Sequence, residues 1–155
     1  MFISIICPSY NSSAFVSKTV ESILNQTYQK FEVIFSDDGS SDETVNILKK
    51  FKLLFRQKNI SVKIIKNNHK GPGFARNEAL KVASHDWIAF IDSDDLWTKD
   101  KLKEAVQEIK KNGSLNCVLH RQIYLKKNKK KKYFYFYKCY NPNKQVKNKI
   151  FKNKL

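Results

Sequence analysis

Apolar residues come in short runs divided by polar, turn-forming segments, and the spacing within each run assigns it. Residues 2–7 are mostly apolar and meet Pro8, which predicts a buried strand closed by a loop. Ser12 or Ser13 is then expected to cap a helix in which Phe15, Val16, Val20, Ile23 and Leu24 recur at helical spacing. Residues 31–35 form a second strand candidate, ended by the turn Asp37-Asp38-Gly39-Ser40. A helix follows, with Asp42 and Glu43 expected in its first turn and Val45, Ile47, Leu48 and Phe51 as its apolar face. Residues 61–65 predict a third strand. The Gly71-Pro72-Gly73 break leads into a helix over 74–83. Residues 87–91 predict a fourth strand, which runs into Asp92-Ser93-Asp94-Asp95. Thr98 is expected to cap a last helix through Lys111, stopped by Asn112-Gly113.

Strands and helices therefore alternate, and the strand runs lack strict two-residue alternation. This pattern predicts an α/β fold with a mostly parallel, twisted sheet and helices on both faces. Ligands of such sheets sit at the carboxyl ends of the strands. The polar loops after strands one, two and four are expected to gather there.

Charge divides the chain more sharply than hydropathy does. The 155 residues include 30 Lys or Arg and 14 Asp or Glu, a formal net charge of +16. All 14 acids lie at or before Glu108, against 15 basic residues, so that stretch is nearly neutral. Residues 109–155 carry 15 basic residues and no acid. A block of this kind suits a polyanion or an anionic membrane surface. No nucleic-acid-binding motif accompanies it, so nucleic acid is not an expected partner. The opening apolar run is far shorter than the roughly 20 residues of a membrane span, and it lacks the flanks of a secretory signal. Cys7, Cys117 and Cys139 are widely spaced, which fits a reducing cytoplasm better than a disulfide framework or a zinc site.

Taken one at a time, the loops say little. Asp92 and Asp94 flank one residue, so an extended backbone would send both to the same side. Two such carboxylates repel unless a cation or hydroxyl donors intervene, and a hard divalent ion is the matching partner. A dinucleotide fingerprint is excluded, since Gly71-Pro72-Gly73 lacks the third glycine and follows the third strand. A G-K-S/T phosphate loop is absent from the sequence as well.

The ordered set Cys7-Pro8-Ser9-Tyr10-Asn11, Ser36-Asp37-Asp38-Gly39-Ser40-Ser41-Asp42, Gly73-Phe74-Ala75-Arg76-Asn77 and Asp92-Ser93-Asp94-Asp95, with Leu96-Trp97 after it, resembles the inverting family-two glycosyltransferases of GT-A fold. The resemblance covers about residues 2–120 and implies a site for a nucleotide-diphosphate sugar. Pro8 and Tyr10 would wall the nucleobase. One carboxylate of Asp37 and Asp38 would accept the imide N–H of the base, favouring uridine diphosphate, with Asp37 at the strand end the first choice. Arg76 would pair with phosphate oxygens or brace the acidic loop. Asp92 would hold the ribose hydroxyls, and Asp94 the Mn²⁺ or Mg²⁺ that bridges the phosphates. The implied acceptor is a glycan or lipid-linked glycan in cell-surface polysaccharide synthesis. A cytoplasmic location follows, with peripheral contact at the membrane face.

Where the family places its catalytic base, this sequence departs. No Asp or Glu follows Glu108, so no catalytic residue is assigned, and His120 is the only later group that titrates near neutrality. The expected organisation is a donor-binding half-domain over 1–120 and a basic, aromatic segment over 121–155, with the second half of the fold incomplete. Residues 122–125 and 133–137 are expected to pair as a hairpin across the lysine-rich stretch 126–132. The Lys- and Asn-rich remainder beyond Asn141-Pro142-Asn143 has little to bury and is expected to be frayed. A chain of this kind invites self-association or a partner chain that supplies the missing half, and its alternative role is a non-catalytic nucleotide-sugar-binding module.

Overall fold

The structure, a computed structural model, describes residues 1–115, 117 and 118, together with the backbone of 123–126 and 129–132. Four strands alternate with helices in chain order. They are β1 (Ile3–Ser9), α1 (Val16–Leu24), β2 (Phe31–Asp37), α2 (Thr44–Gln57), β3 (Val62–Lys66), α3 (Pro72–Lys81), β4 (Trp87–Phe90) and α4 (Lys101–Lys111). The four strands form one wholly parallel sheet of order β3-β2-β1-β4. The chain separates into two compact units, Met1–Lys103 and Glu104–Leu155, and the sheet lies in the first.

Every residue of the two central strands is buried, whereas β3 and β4 are half-exposed. That contrast accounts for the missing two-residue alternation, because a central strand with helices on both faces has no solvent side. Phe35 on one face of β2 packs its ring on Phe55 of α2, with centroids 6.5 Å apart. On the opposite face Ile6 and Ile34 pack with Ala79 of α3. The predicted helices on both faces are therefore present. Phe15, expected in the apolar face of α1, is instead 58% exposed.

Both central strands run past their expected ends. Pro8 does not close β1, which pairs with β2 as far as Ser9 opposite Asp37. Its missing N–H does no harm. The Ile6 carbonyl bonds Ile91 on the β4 side, Pro8 faces that same side two residues on, and the β4 ladder has already ended at Ile6. Asp37 is thus a strand residue rather than a turn residue. The helix ends also differ from expectation. The Ser12 carbonyl, not a serine hydroxyl, receives the N–H groups of Phe15 and Val16 at 2.9 Å each. Asp42 and Glu43 precede α2, where Asp42 accepts the Thr44 N–H at 3.0 Å.

A row of polar groups ties the strands together at the amino-terminal edge. Buried Glu32 accepts bonds from the Ser4 hydroxyl at 2.7 Å and the Ser84 N–H at 2.6 Å, and pairs with Lys63 at 3.0 Å. Desolvation opposes ionisation there. The Ser84 and Ser4 donors and the Lys63 charge outweigh it and hold Glu32 below the usual glutamate range.

In the second unit, β5 (Ile123–Lys126) pairs antiparallel with β6 (Lys129–Lys132), Ile123 opposite Lys132 and Lys126 opposite Lys129. Lys126 and residues 129–132 are therefore strand and not part of the long turn expected between 122–125 and 133–137. The residues 133–155, His120 and Cys139 lie outside the described residues. Cys7 and Cys117 are free thiols. Among the described residues, no helix is long and apolar enough to cross a membrane.

Candidate nucleotide-sugar site

Parallel strands put all their carboxyl ends on one edge, so the segments after β1, β2, β3 and β4 meet there. The first two are joined by reciprocal bonds. The Ser9 hydroxyl donates to Asp37 at 3.1 Å, and the Asn11 N–H donates to the Ser40 hydroxyl at 2.9 Å. Asn11 Oδ1 accepts the Ser41 N–H at 2.9 Å, and Ser12 N–H reaches Thr44 Oγ1 at 2.8 Å. Asn11 takes φ 44°, a left-handed conformation that asparagine tolerates better than most residues. Asp42 binds the Ser13 N–H at 3.0 Å as well as Thr44, and these donors overcome desolvation to hold it far below the ordinary aspartate range.

The third segment brings in residues that the sequence reading passed over. Asp38, buried like Asp37, accepts the N–H groups of Lys70 at 2.9 Å and Gly71 at 2.7 Å, and His69 Nδ1 lies 3.1 Å from its carboxylate. Against the cost of desolvation, these donors keep its carboxyl below the ordinary range. His69 also stacks on Tyr10, with ring centroids 4.1 Å apart and planes at 24°. Gly39 permits this approach. It has φ +82°, and a Cβ there would meet the His69 N at 3.2 Å and the Asn67 O at 3.3 Å. Topology alone could have flagged His69, because the residues after any strand of a parallel sheet belong to this edge.

Asp37 and Asp38 thus serve different neighbours. Asp37 accepts the Ser40 N–H at 2.9 Å and the Ser40 hydroxyl at 2.5 Å besides Ser9, which closes its own turn. Asp38 instead ties the second segment to the third. Pro8 is a buried strand residue one step below Ser9, whereas Tyr10 is 47% exposed at the rim.

The acidic segment has another character. Asp92, Asp94 and Asp95 are all exposed. Arg76, projecting from α3, forms an ion pair with Asp92. Local desolvation, then the charges of Asp94 and Asp92, push the Asp95 carboxyl above the usual aspartate range, with Lys101 working against them. The same field reaches inward. Burial pushes the Cys7 thiol far up, and Asp92 and Asp94 add to the rise, so Cys7 is an inert core residue despite standing within the motif.

Among the described residues no three His, Cys, Asp or Glu side chains form a ready cage for a metal ion. The donor set nevertheless fits a hard cation. Exposed carboxylates that repel one another are neutralised by Mg²⁺ or Mn²⁺, which commonly take one or two protein carboxylates and leave the other positions to water and phosphate. Asp94 and its neighbours supply that kind of partial site.

Residues 4–154 match the profile of Glycosyl transferase family 2. WfgD of Escherichia coli, a UDP-Glc:alpha-D-GlcNAc-diphosphoundecaprenol beta-1,3-glucosyltransferase, is 42% identical over 112 residues, covering 72% of this chain and 42% of WfgD. TarS of Staphylococcus aureus, a poly(ribitol-phosphate) beta-N-acetylglucosaminyltransferase, is 37% identical over 116 residues, covering 74% of this chain and 20% of TarS. The crystal structure of TarS 1-349 in complex with UDP superposes with a TM-score of 0.66 at 36% identity, over 74% of this chain and 33% of that one. The mannosyltransferase PcManGT from Pyrobaculum calidifontis, in complex with GDP-Man and Mn²⁺, gives 0.63 at 25% identity, over 69% and 32%. The chain thus spans less than half the length of these relatives. With a parallel sheet whose polar segments converge on one edge, and with a family profile matched almost from end to end, the chain belongs to glycosyl transferase family 2.

Proposed function

We propose that residues 1–120 form the donor-binding half of a glycosyltransferase that takes a uridine-diphosphate sugar with Mn²⁺ or Mg²⁺ and acts in cell-surface polysaccharide synthesis. The observation that carries this reading is the exposed, mutually repelling trio Asp92, Asp94 and Asp95 at the sheet edge where Tyr10, Asp38 and Arg76 also stand. Relatives support the class: WfgD acts from UDP-Glc on a diphosphoundecaprenol-linked sugar, and TarS has been crystallised with UDP.

In this reading Tyr10 offers a ring face to the base, and the carboxylates of Asp37 and Asp38 are held by hydrogen bonds close behind it. Arg76 neutralises Asp92 in the free protein and turns a guanidinium edge to phosphate when the donor binds. Asp92 is then released to the ribose hydroxyls. Asp94 holds the metal, which when bound supplies Lewis-acid neutralisation of the departing diphosphate. Transfer further needs a base to take the acceptor proton. Residues 109–155 contain no Asp or Glu, so no carboxylate of that stretch is assigned as the base.

The reading places the chain at the cytoplasmic membrane face, where a lipid-linked acceptor resides and the basic segment 121–155 meets anionic lipid. The test is calorimetry of uridine diphosphate binding with Mn²⁺ and with chelator, followed by donor consumption with acceptor present. Tighter binding with metal, and donor consumption that rises when acceptor is present, is the expected pair of results. Equal affinity with and without metal removes the metal role of Asp94.

A further inference from the structure

We propose that Thr19, Ser22 and Gln26, on one line of α1 and its closing turn, are positioning residues that hold the acidic segment in the geometry a divalent cation requires; this rests on the metal-dependent donor site proposed above. The three residues are spaced three and four apart, so they share one face of the helix. Each side chain bonds the backbone that follows β4. Thr19 Oγ1 donates to the Ser93 carbonyl at 2.8 Å. The Ser22 hydroxyl accepts the Trp97 N–H at 3.2 Å. Gln26 Nε2 donates to the Thr98 carbonyl at 2.7 Å, and its Oε1 accepts the Leu102 N–H at 3.0 Å.

The line continues into Thr27, whose N–H and hydroxyl reach the Lys99 carbonyl at 2.9 Å and the Asp100 carboxylate at 2.8 Å. At the other end the Ser12 and Ser93 hydroxyls lie 2.7 Å apart, which ties the same segment to the one that follows β1. Thr19 and Gln26 are fully buried. Buried polar side chains on a helix weaken its packing unless they have partners; Thr19 finds its partner in the acidic segment, and Gln26 finds partners at Thr98 and Leu102 behind it as well as at the Ser22 carbonyl of its own helix.

The arrangement answers a specific electrostatic difficulty. Asp92, Asp94 and Asp95 stand within four residues of one another on one exposed segment, and like charges so placed repel, so an unsupported loop would relax by separating them. A metal would then have to draw the carboxylates back together, at a cost in affinity. Bonds from α1 to the backbone at 93, 97, 98 and 102 fix the segment without engaging a carboxylate of the trio, so Asp94 and Asp95 stay available for a ligand while Asp92 is held by Arg76. The ladder therefore acts on metal binding through the backbone and does not touch the nucleobase.

The experiment uses the full chain and three substitutions, Thr19→Val, Thr19→Ser and Gln26→Leu. Uridine diphosphate affinity is measured with Mn²⁺ and with chelator, and direct Mn²⁺ binding is followed by the loss of the free-ion paramagnetic resonance signal. Thermal midpoints report folding separately. Thr19→Val is expected to lower Mn²⁺ affinity about tenfold, the scale of one lost buried hydrogen bond. Affinity in chelator should remain unchanged, and Thr19→Ser should keep wild-type behaviour. Gln26→Leu should repeat the loss in any preparation that folds.

Thr19→Val with undiminished Mn²⁺ affinity overturns the inference. Equal losses with and without metal also overturn it, because they mark a purely structural residue. If the wild type itself shows no Mn²⁺ enhancement, the metal reading of the site falls and this inference falls with it.

Discussion

Two sets of carboxylates share one edge of the sheet and live in opposite conditions. Asp38 and Asp42 are packed against backbone N–H donors that outweigh desolvation and hold them ionised. Asp92, Asp94 and Asp95 are exposed, and their mutual repulsion helps to raise Asp95. The first set joins the segments after β1, β2 and β3 and is consumed by the architecture. The second has charge left over, and charge left over at a strand-end cleft is what a ligand can neutralise. Glu32 at the far edge extends the lesson. It is a buried acid with every need met by Ser4, Ser84 and Lys63, and nothing in its surroundings calls for a ligand.

The sharpest way to break this contrast is to remove one acid from each side. Asp38→Ala leaves the N–H groups of Lys70 and Gly71 without their acceptor and should cost about 3 kcal/mol of stability, measured by denaturant unfolding. A loss below about 1 kcal/mol would mean that water replaces the carboxylate and that Asp38 is not architectural. Asp94→Ala should do the reverse. Its thermal midpoint without metal should equal or exceed that of the wild type, because a repelling charge is gone. Mn²⁺ affinity should fall by about a hundredfold, as for removal of a direct ligand. A clear drop in the midpoint would place Asp94 with the architectural set.

Acid titration tests the same division by sign. Asp38, Asp42 and Glu32 have folded values below their unfolded ones, so the unfolded chain binds protons first as the pH falls. Their contribution is complete above the unfolded values, near pH 4, and is lost as the pH drops through the folded values. Asp95 has the opposite sign. Its folded value is raised, so its ionisation subtracts stability as the pH rises through that value. Unfolding midpoints followed from about pH 6 to pH 2 should therefore fall towards acid. Glu32→Gln should flatten that fall, and Asp95→Asn should steepen it between the two Asp95 values by removing the opposing group. A flat profile would deny the architectural role of the buried acids.

The smallest effect is expected at Tyr10. Half-exposed and stacked on His69, it contributes little to folding, so Tyr10→Ala should leave the unfolding midpoint nearly unchanged. Uridine diphosphate affinity should weaken about fivefold, equally with and without metal, on the scale of one aromatic stack. A loss confined to the metal-loaded protein would contradict the assignment of Tyr10 to the base.

The motif segments after β1, β2 and β4 were readable because each joins a strand signal to turn chemistry, and a parallel sheet leaves one edge for all of them, whereas residues 73–77 lie within α3. The sequence by itself also determined the order of elements, a buried first strand and the split between a nearly neutral stretch and a basic one. Strand ends were less legible. Pro8 and Asp37 look like breakers, yet Pro8 faces a side where the ladder has stopped and Asp37 is bonded across the strands by Ser9. The lysine stretch 129–132 reads as turn by composition and pairs as strand, since ladder bonds use the backbone and place no demand on the side chain.

Only the tertiary structure decided how the polar side chains were shared out. Nothing in a one-dimensional pattern tells that Asp38 spends its oxygens on Lys70 and Gly71 or that His69 covers one face of Tyr10. Nor does it tell that Thr19, Ser22 and Gln26 reach a segment some 70 to 80 residues away, as the separations of 74, 75 and 76 residues record. Periodicity follows from the local geometry of the backbone. Hydrogen-bond partners across such distances are fixed only when the strands have taken their order, because bringing α1 against the segment that follows β4 is a property of the whole sheet.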